Sequence, residues 1–303
     1  MEKYKTEQVI LAFVDILGQK NELNKLNKEN LSDTDIQNIF QNTTGNIENL
    51  RTELMGLFEL INTQNYNIIE NEKVSNDLEI ESFSDLVIGY ISLNQDKDNL
   101  GVYGLAIYRL FESMNLLFIS LLAKGIKIRG AIDIGIATRL ENNSIYGQPL
   151  ANAYSLESKV ADYPRIIVSS KLYKFIEDKI AETNNVQTEK ANNKFLKETQ
   201  LLIKQDIDGM YIINYLSDKS ISLYKEQDNT KLIFQALYEI LIEYRTLFNK
   251  QNSKLAKRYT HLIYYFGDVL KKIVPENKDE FDFHNITLDK SIENLKTFIK
   301  SYK

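Results

Sequence analysis

The sequence predicts an α/β (α+β) sandwich of the ferredoxin-like kind, an antiparallel sheet with packed helices, followed by a C-terminal helical appendage. Through residues 1–220, short apolar stretches typical of strands alternate with longer stretches of helical periodicity. The elements follow the order strand, helix, two strands, helix, strand, helix and strand, which is that of a ferredoxin-like sandwich with its helices packed on one face of the sheet. Residues 221–303 form a helical region in this prediction, because helical periodicity alone dominates them.

The first strand is predicted over Val9 to Leu17, where β-branched and apolar residues run up to the turn residue Gly18. A helix follows, because Ser32 can cap it and apolar residues recur at helical spacing to about Asn62. The next stretch, LEIESFSDLVIGYISL, predicts a hairpin of two strands whose tight connection is the Ser84-Asp85 pair.

The later elements are predicted in the same way. A buried helix runs from Leu100 to Lys124, and IKIRGAIDIGIATRL then returns to strand character. After a turn at Asn142-Asn143, YGQPLANAYSLESKV is typical of a helix led by glycine, and RIIVSSKLYKFI of a strand and a helix. A polar stretch at 181–197 is predicted to be a mobile insertion, and Asp208-Gly209 the turn of a hairpin. The last helices are predicted over Lys231–Asn249, Lys254–Ile273 and Leu288–Tyr302.

Composition excludes several kinds of partner and site. With 37 Lys and Arg against 42 Asp and Glu, the net charge is -5, so neither nucleic acid nor an anionic membrane is expected as a partner. The absence of Cys excludes thiolate ligands, and the only histidines, His261 and His284, lack metal-ligand spacing. The apolar run at the start is too short for a signal sequence or a membrane span, so a cytoplasmic location is expected. Because the chain has no Cys and no His at metal-ligand spacing, a metal ion should bind to oxygen atoms.

Two carboxylates end apolar strand segments and are the candidate metal ligands. Asp15 ends the first strand, and Asp85 lies in the hairpin turn before the third. The first and third strands are neighbours in a ferredoxin-like sheet, so we expect the two side chains to lie side by side, where they repel unless a cation separates them. A site with only two carboxylate ligands from the protein suits Mg²⁺ or Mn²⁺, because these ions take their other ligands from water and phosphates.

Several segments resemble class III adenylate and guanylate cyclase domains, in the order found there. These segments are FVDILG at Phe13–Gly18, FSDLVIGY at Phe83–Tyr90, IRGAIDIG at Ile128–Gly135 and YGQPLANAYSLES at Tyr146–Ser158. With DIDGMYIINYL and the late RYTHLIYYF added, the chain resembles the Pycsar pyrimidine cyclases of bacterial antiphage defence over nearly its whole length.

The resemblance implies a homodimeric enzyme that uses two divalent ions, Mn²⁺ or Mg²⁺, to convert UTP to cyclic UMP and pyrophosphate. Asp15, Asp85 and the carbonyl of Ile16 would hold the metals. The nucleotide would contact the segment Phe13 to Gly18, including Leu17, and its product would act on a separate effector protein. Tyr146 and Asn152 are further candidates for contact with the base or ribose.

The departures from purine cyclases are informative. Their base-reading Lys and its partner correspond to Glu81 and Ser144, and an ionised Glu cannot donate hydrogen bonds to a purine acceptor. Their catalytic Asn and Arg correspond to Ala151 and Ser155. Arg129 is the first candidate to replace that Arg, because a guanidinium suits bidentate phosphate contact; the weaker candidates are Arg139 and Arg165.

Three alternatives stay open at this point. The substrate could be CTP, with cyclic CMP as the product. The chain could instead be a cyclase-shaped nucleotide-binding or signalling module without activity, since Ala151 and Ser155 lack catalytic groups. A purine cyclase with an unrecognised base pocket is the third reading.

Overall fold

The computed structural model describes residues 5–28, 30–63, 78–93, 103–141, 144–182, 187–226 and 230–301. Within these residues eight strands form one sheet, because each consists mainly of β-branched and apolar residues bounded by turns. The strands are β1 (Thr6–Ile16), β2 (Glu79–Phe83), β3 (Leu86–Ser92), β4 (Ile128–Arg139), β5 (Ile145–Gly147), β6 (Ile166–Val168), β7 (Ile203–Gln205) and β8 (Tyr211–Ile213).

The sheet order is β2-β3-β1-β4-β6-β8-β7, and β5 pairs with the end of β4. The predicted α/β sandwich is confirmed, and β1 lies antiparallel between β3 and β4, as a ferredoxin-like order requires. The sheet is not wholly antiparallel as predicted, because β4 and β6 pair in parallel. The chain between them crosses over through a helix, the connection that a parallel pair needs.

The described helices agree with the predicted periodicity for the long elements. The predicted helices from Ser32 to about Asn62, from Leu100 to Lys124 and in the C-terminal region are present within a few residues. Short helices at 19–23 and 218–226 were not predicted. The helices are α1 (Gln19–Leu23), α2 (Asp33–Thr63), α3 (Tyr103–Ala123), α4 (Gln148–Lys159), α5 (Ser170–Ala181), α6 (Gln187–Leu201), α7 (Asp218–Glu226), α8 (Thr230–Asn249), α9 (Ser253–Ile273) and α10 (Leu288–Ser301).

Two predicted features differ or lie outside the described residues. The polar stretch at 181–197 was expected to be an insertion, but α6 occupies most of it and buries Phe195 and Leu196. These two adjacent apolar residues stand in an otherwise polar stretch, and they are too few to reveal the helix by periodicity. The predicted turn at Asn142-Asn143 lies outside the described residues.

Helices cover both faces of the sheet, whereas the sequence suggested packing on one face. Leu11 and Phe13 belong to the same buried cluster as Ala153 of α4. Ala12 faces the other way and pairs with Gly89, where an added Cβ would meet the side chain of Leu54 in α2. A strand buried on both faces has a continuous apolar sequence rather than an alternating one, which is the pattern of β1.

The chain divides into two compact units. The first comprises residues 1–117 and 128–214 and contains the whole sheet, and the second comprises residues 118–127 and 215–303. In the second unit α8 packs against α9 and α10. One described helix, α3, is long and apolar enough to cross a membrane, but 94% of its most apolar window is buried inside the protein, as in the core helix of a globular protein.

Arg165 provides a test of this packing. Its side chain is buried and donates to Asp206 at 2.8 Å and to Asp208 at 2.6 Å. Arg165→Ala should lower the free energy of unfolding by about 3–5 kcal/mol, because it leaves a buried carboxylate without its partner. Urea unfolding followed by circular dichroism measures the change. Lys179→Ala, which removes an exposed ion pair with Glu182 in the same unit, should change it by less than about 1 kcal/mol. Similar values for the two variants would contradict the assignment of Arg165 to the core.

Candidate active site

The β-ladder brings the two predicted metal carboxylates together. Asp15 pairs with Leu86, the residue that follows Asp85, and the N–H of Ile16 donates to the carbonyl of Asp85 at 3.4 Å. Asp15 is 9% exposed and Asp85 is half-buried. The expectation that these side chains are neighbours therefore agrees with the geometry.

Gly18 ends this segment in a left-handed turn. Its φ is 93°, a value that glycine adopts without steric cost, and its carbonyl accepts from the N–H groups of Asn21 and Glu22 as α1 begins. The next residue, Gln19, is buried, and its Oε1 has no hydrogen-bond partner among the described residues. Leu17 is half-buried, so the loop from Leu17 to Gln19 turns sharply beside the carboxylates.

Arg129 lies opposite Asp15 in β4 and contacts it directly. Its Nε and Nη2 donate to the same oxygen, Oδ2 of Asp15, at 3.2 and 3.1 Å. The Nε also forms a close ion pair with Oε1 of Glu157, without hydrogen-bond geometry. The guanidinium that was predicted to contact phosphate is therefore shared between two carboxylates.

Glu157 is the residue of this site that the sequence did not reveal. It lies in α4 one turn after Ala153, which faces the sheet, and its side chain is 3% exposed. A helix positions residues four apart on the same face, so Glu157 also points at the sheet. That spacing was the available signal, but a single Glu near a helix end is usually solvated.

The electrostatics of the cluster favour a cation. Burial raises the pKa of Asp15, and the charge of Asp85 raises it further against the opposing effect of the Arg129 guanidinium. Burial likewise raises the pKa of Glu157 to about 7, again against Arg129, and the nearby Asp15 and Asp85 add to the increase. Asp15 and Glu157 thus share one guanidinium and a direct side-chain hydrogen bond, with the charge of Asp85 close to both.

The donor set fits a hard divalent ion. Within the described residues no group of three or more His, Asp or Glu side chains is placed to hold a metal ion. Asp15, Asp85 and the backbone carbonyl of Ile16 would be the protein ligands, and water or phosphate oxygens would fill the other positions. Mg²⁺ and Mn²⁺ are commonly held in this way, by one or two carboxylates together with substrate phosphates.

Three residues predicted to contact the nucleotide base or ribose lie in or beside β5, and they are Glu81 of β2, Ser144 and Tyr146. Oε1 of Glu81 accepts from the N–H of Ile145 at 2.7 Å, which places the carboxylate beside Ser144 and Tyr146. Tyr146 is 64% exposed. The glycine that follows, Gly147, has an extended backbone, and its lack of a side chain is needed because an added Cβ would lie 2.6 Å from the carbonyl oxygen of Ile136.

Two other nucleotide candidates have contacts inside the protein. Asn152 donates from Nδ2 to Oδ2 of Asp133 at 3.0 Å, and the hydroxyl of Ser169 donates to the other oxygen of that fully buried carboxylate. Phe13 is buried, and its ring packs edge-on against Tyr154 at 5.8 Å. The side chains of Asn152 and Phe13 therefore support the fold directly.

The two weaker arginine candidates are also engaged by carboxylates. Arg139 donates to Glu7 at 3.1 Å and to Glu79, and its guanidinium lies 5.6 Å from the ring centre of Tyr90. Arg165 is held by Asp206 and Asp208 as described above. On α4, Ala151 is exposed and Ser155 is half-buried.

Comparison with solved structures finds class III cyclases. The adenylyl cyclase CyaB from P. aeruginosa is 17% identical, with a TM-score of 0.36 over 58% of this chain and 83% of that one. The catalytic core of a rhodopsin-guanylyl cyclase with converted specificity, in complex with ATPαS, is 15% identical, with a TM-score of 0.39 over 58% and 84%. A class III adenylyl cyclase-like ATP-binding protein from Pseudomonas aeruginosa is 13% identical, with a TM-score of 0.39 over 75% and 45%.

Neither the known protein-family models nor the curated proteins contain a match to this sequence. Similarity to the solved cyclases at this level concerns the fold alone. What the site does is therefore argued from its own residues.

Asn152 allows a test that separates a structural role from nucleotide binding. Asn152→Leu should lower the free energy of unfolding by about 1–3 kcal/mol without any ligand, because it leaves one oxygen of the buried Asp133 without this donor. The measurement is urea unfolding of the free protein. Ser158→Ala, an exposed position of the same helix, should change it by less than about 0.5 kcal/mol. If Asn152→Leu is as stable as the unchanged protein, the amide does not support the fold.

Proposed function

We propose that the protein is a pyrimidine nucleotidyl cyclase that converts UTP to 3′,5′-cyclic UMP and pyrophosphate. The observation that carries the proposal is the adjacency of Asp15 and Asp85 at one end of the β1–β3 pair, together with the excess of carboxyl groups around Arg129. Such a site attracts divalent cations and, through them, a triphosphate. The segment resemblance to class III cyclases, and in particular to Pycsar cyclases, gives the reaction class.

Each residue has a proposed task in this reaction. Two ions, Mn²⁺ or Mg²⁺, would be held by Asp15, Asp85 and the Ile16 carbonyl, and would supply charge neutralisation at the phosphates and activation of the 3′-hydroxyl. The backbone of Leu17 and Gly18 would face the triphosphate. The ribose 3′-hydroxyl loses its proton to solvent as its oxygen bonds to the α-phosphorus, the bond from that phosphorus to the oxygen of the β-phosphate breaks, and pyrophosphate leaves.

Glu81 favours a uracil base. When ionised it only accepts hydrogen bonds, and Oε1 already accepts one from Ile145. The other oxygen matches the single N3–H donor of uracil. Guanine presents two adjacent donors, which suit a carboxylate with both oxygens free, and adenine and cytosine each offer an amino group. The amino group alone does not separate CTP from ATP; CTP is the second candidate because the segments resemble pyrimidine cyclases, and Ser144 and Tyr146 would complete the base contacts in either case.

The proposed enzyme is a homodimer. Three exposed aromatic side chains border the site: Phe83 precedes the Ser84-Asp85 turn, Tyr146 follows Ile145, and Tyr154 contacts Phe13. Their exposed fractions are 77%, 64% and 56%. Aromatic residues of this kind are enriched in the centres of protein interfaces.

The dimer proposal is tested by Tyr154→Glu. A charge at the centre of an apolar interface should raise the dimer dissociation constant at least about tenfold, since buried interface aromatics contribute 2 kcal/mol or more. Sedimentation velocity over a concentration series measures it. Phe248→Glu, at an exposed position of α8, serves as the control and should leave the constant unchanged. A monomeric unchanged protein, or equal constants for both variants, would contradict a dimer built on this face.

The resemblance extends the proposal to antiphage defence. The cyclic nucleotide would be a second messenger that acts on a separate effector protein. Accumulation of cyclic UMP in cells only after phage infection would support this role, and its absence in infected cells that contain the protein would count against it.

Asp15→Asn and Asp85→Asn test the reaction. The protein is incubated with Mn²⁺ and separately with ATP, GTP, CTP and UTP, and the products are identified by mass spectrometry. We expect cyclic UMP from UTP, and a loss of at least about a hundredfold in either variant, because each removes a metal ligand. Asp289→Asn, which changes a highly exposed carboxylate, should retain full activity.

The other outcomes are equally decisive. Cyclic CMP alone would establish the second candidate, and cyclic AMP or GMP alone would overturn the argument from Glu81. No product from any nucleotide, together with Mn²⁺-dependent nucleotide binding, would favour the inactive binding module.

A further inference from the structure

A cavity of about 410 Å³ lies beside the middle of β4. The strand segment from Ile134 to Ile136 forms its floor, and α5 forms one of its walls. Val9, which pairs with Gly135 in the floor, comes six positions before Asp15 in β1. At about 3.4 Å per residue, this spacing places the cavity roughly 20 Å along the strand from that candidate metal ligand.

The strand pairing leaves room for this cavity. β6 pairs with β4 only as far as Ile132, and β5 pairs with it only from Ala137 onwards. Among the described strands, none therefore lies against residues 133–136 on the side opposite β1. This part of β4 has an open edge, and Gln148 of α4 and the helix α5 border the opening.

Lys171 and Lys174 give the cavity its positive charge. They are three residues apart in α5, so they lie on one face of the helix. The ammonium of Lys171 lies over the strand, since a Cβ added at Gly135 would come within 2.9 Å of its Nζ. Its Nζ donates to Oε1 of Gln148 at 3.2 Å, and no carboxylate of the described residues pairs with either lysine. Asp178 also lines the cavity, so these three ionised side chains sum to one positive charge.

The other side chains of the cavity are both polar and apolar. Gln8 and Gln148 offer amide groups, and Ile134, Ile136 and Phe175 are apolar. Ile136 is 57% exposed, although isoleucine is usually buried. A cavity of this volume is within the range of sites for small ligands. A matching ligand therefore has an anionic group at the lysines and a less polar part beside Ile136 and Phe175.

We propose that this cavity is a second ligand site, which binds a phosphate monoester of about the size of a nucleoside monophosphate. Lysine binds phosphate as a point charge, and two ammonium groups side by side match a doubly charged phosphate better than a singly charged carboxylate. The amide of Gln148 and the apolar side chains would contact the rest of the ligand. Because the lysines supply the positive charge, binding needs no metal ion and does not depend on the proposed cyclase reaction.

Binding in the absence of divalent ions tests the proposal. UMP, inorganic phosphate and uridine are titrated separately into the metal-free protein, and isothermal titration calorimetry gives the dissociation constants. We expect UMP to bind more tightly than inorganic phosphate, and uridine not to bind. Lys171→Met and Lys174→Met should each raise the dissociation constant of UMP at least about tenfold, because each removes a charge-assisted hydrogen bond. Lys179→Met, a change outside the cavity in the same helix, should alter it less than about twofold.

Asp178→Asn provides a test of opposite sign. It removes the negative charge that lines the cavity, so it should tighten UMP binding about two- to threefold. All three changed side chains are exposed, so the variants should fold, which thermal unfolding checks. No binding of UMP, or equal binding by the unchanged protein and both lysine variants, would overturn the proposal. Equal affinities for UMP and uridine would contradict recognition of phosphate, and equal affinities for UMP and inorganic phosphate would contradict the monoester.

Discussion

The antiparallel pairing of β1 with both β3 and β4 is the constraint on which the site depends. The two ladders place Leu86 on one side of Asp15 and Arg129 on the other, and Leu86 carries Asp85 with it. A shift of one residue would turn Asp15 to the opposite face of the sheet. The register is held by apolar residues buried on both faces of β1, so the core fixes the position of charged groups that do not themselves stabilise it.

The two arginine clusters, around Arg165 and around Arg129, differ in how completely the charges are compensated. Arg165 has hydrogen bonds to Asp206, Asp208 and the carbonyl of Val160, so its charge is matched where it lies. Arg129 faces Asp15 and Glu157 with Asp85 nearby, and burial raises the pKa of both contacting carboxyls. Incomplete compensation of buried carboxyl groups is relieved either by protonation or by a further cation. The cluster around Arg129 therefore carries the less complete charge compensation of the two.

Much of the fold and part of the site follow from the sequence in physical terms. The adjacency of Asp15 and Asp85 was predictable because a carboxylate at the end of an apolar strand contradicts the local pattern, and the strand order brings the two strand ends together. Glu157 agrees with the pattern of a helix end, and only the tertiary contact with Arg129 makes it unusual. The parallel pairing of β4 with β6 was also missed, because period and composition do not specify strand direction, and β5 is only three residues long.

Glu81 links the proposed base specificity to the backbone of the site. A carboxylate at this position accepts from the N–H of Ile145 and thereby fixes the start of β5 relative to β2. A lysine has no acceptor, so a lysine here would lose this hydrogen bond as well as reverse the charge presented to the base. In the proposed enzyme, the residue at position 81 would thus act both on the backbone beside Ser144 and Tyr146 and on the hydrogen bonds offered to a base. A change to purine recognition through a lysine at this position would therefore also remove a backbone hydrogen bond of Ile145.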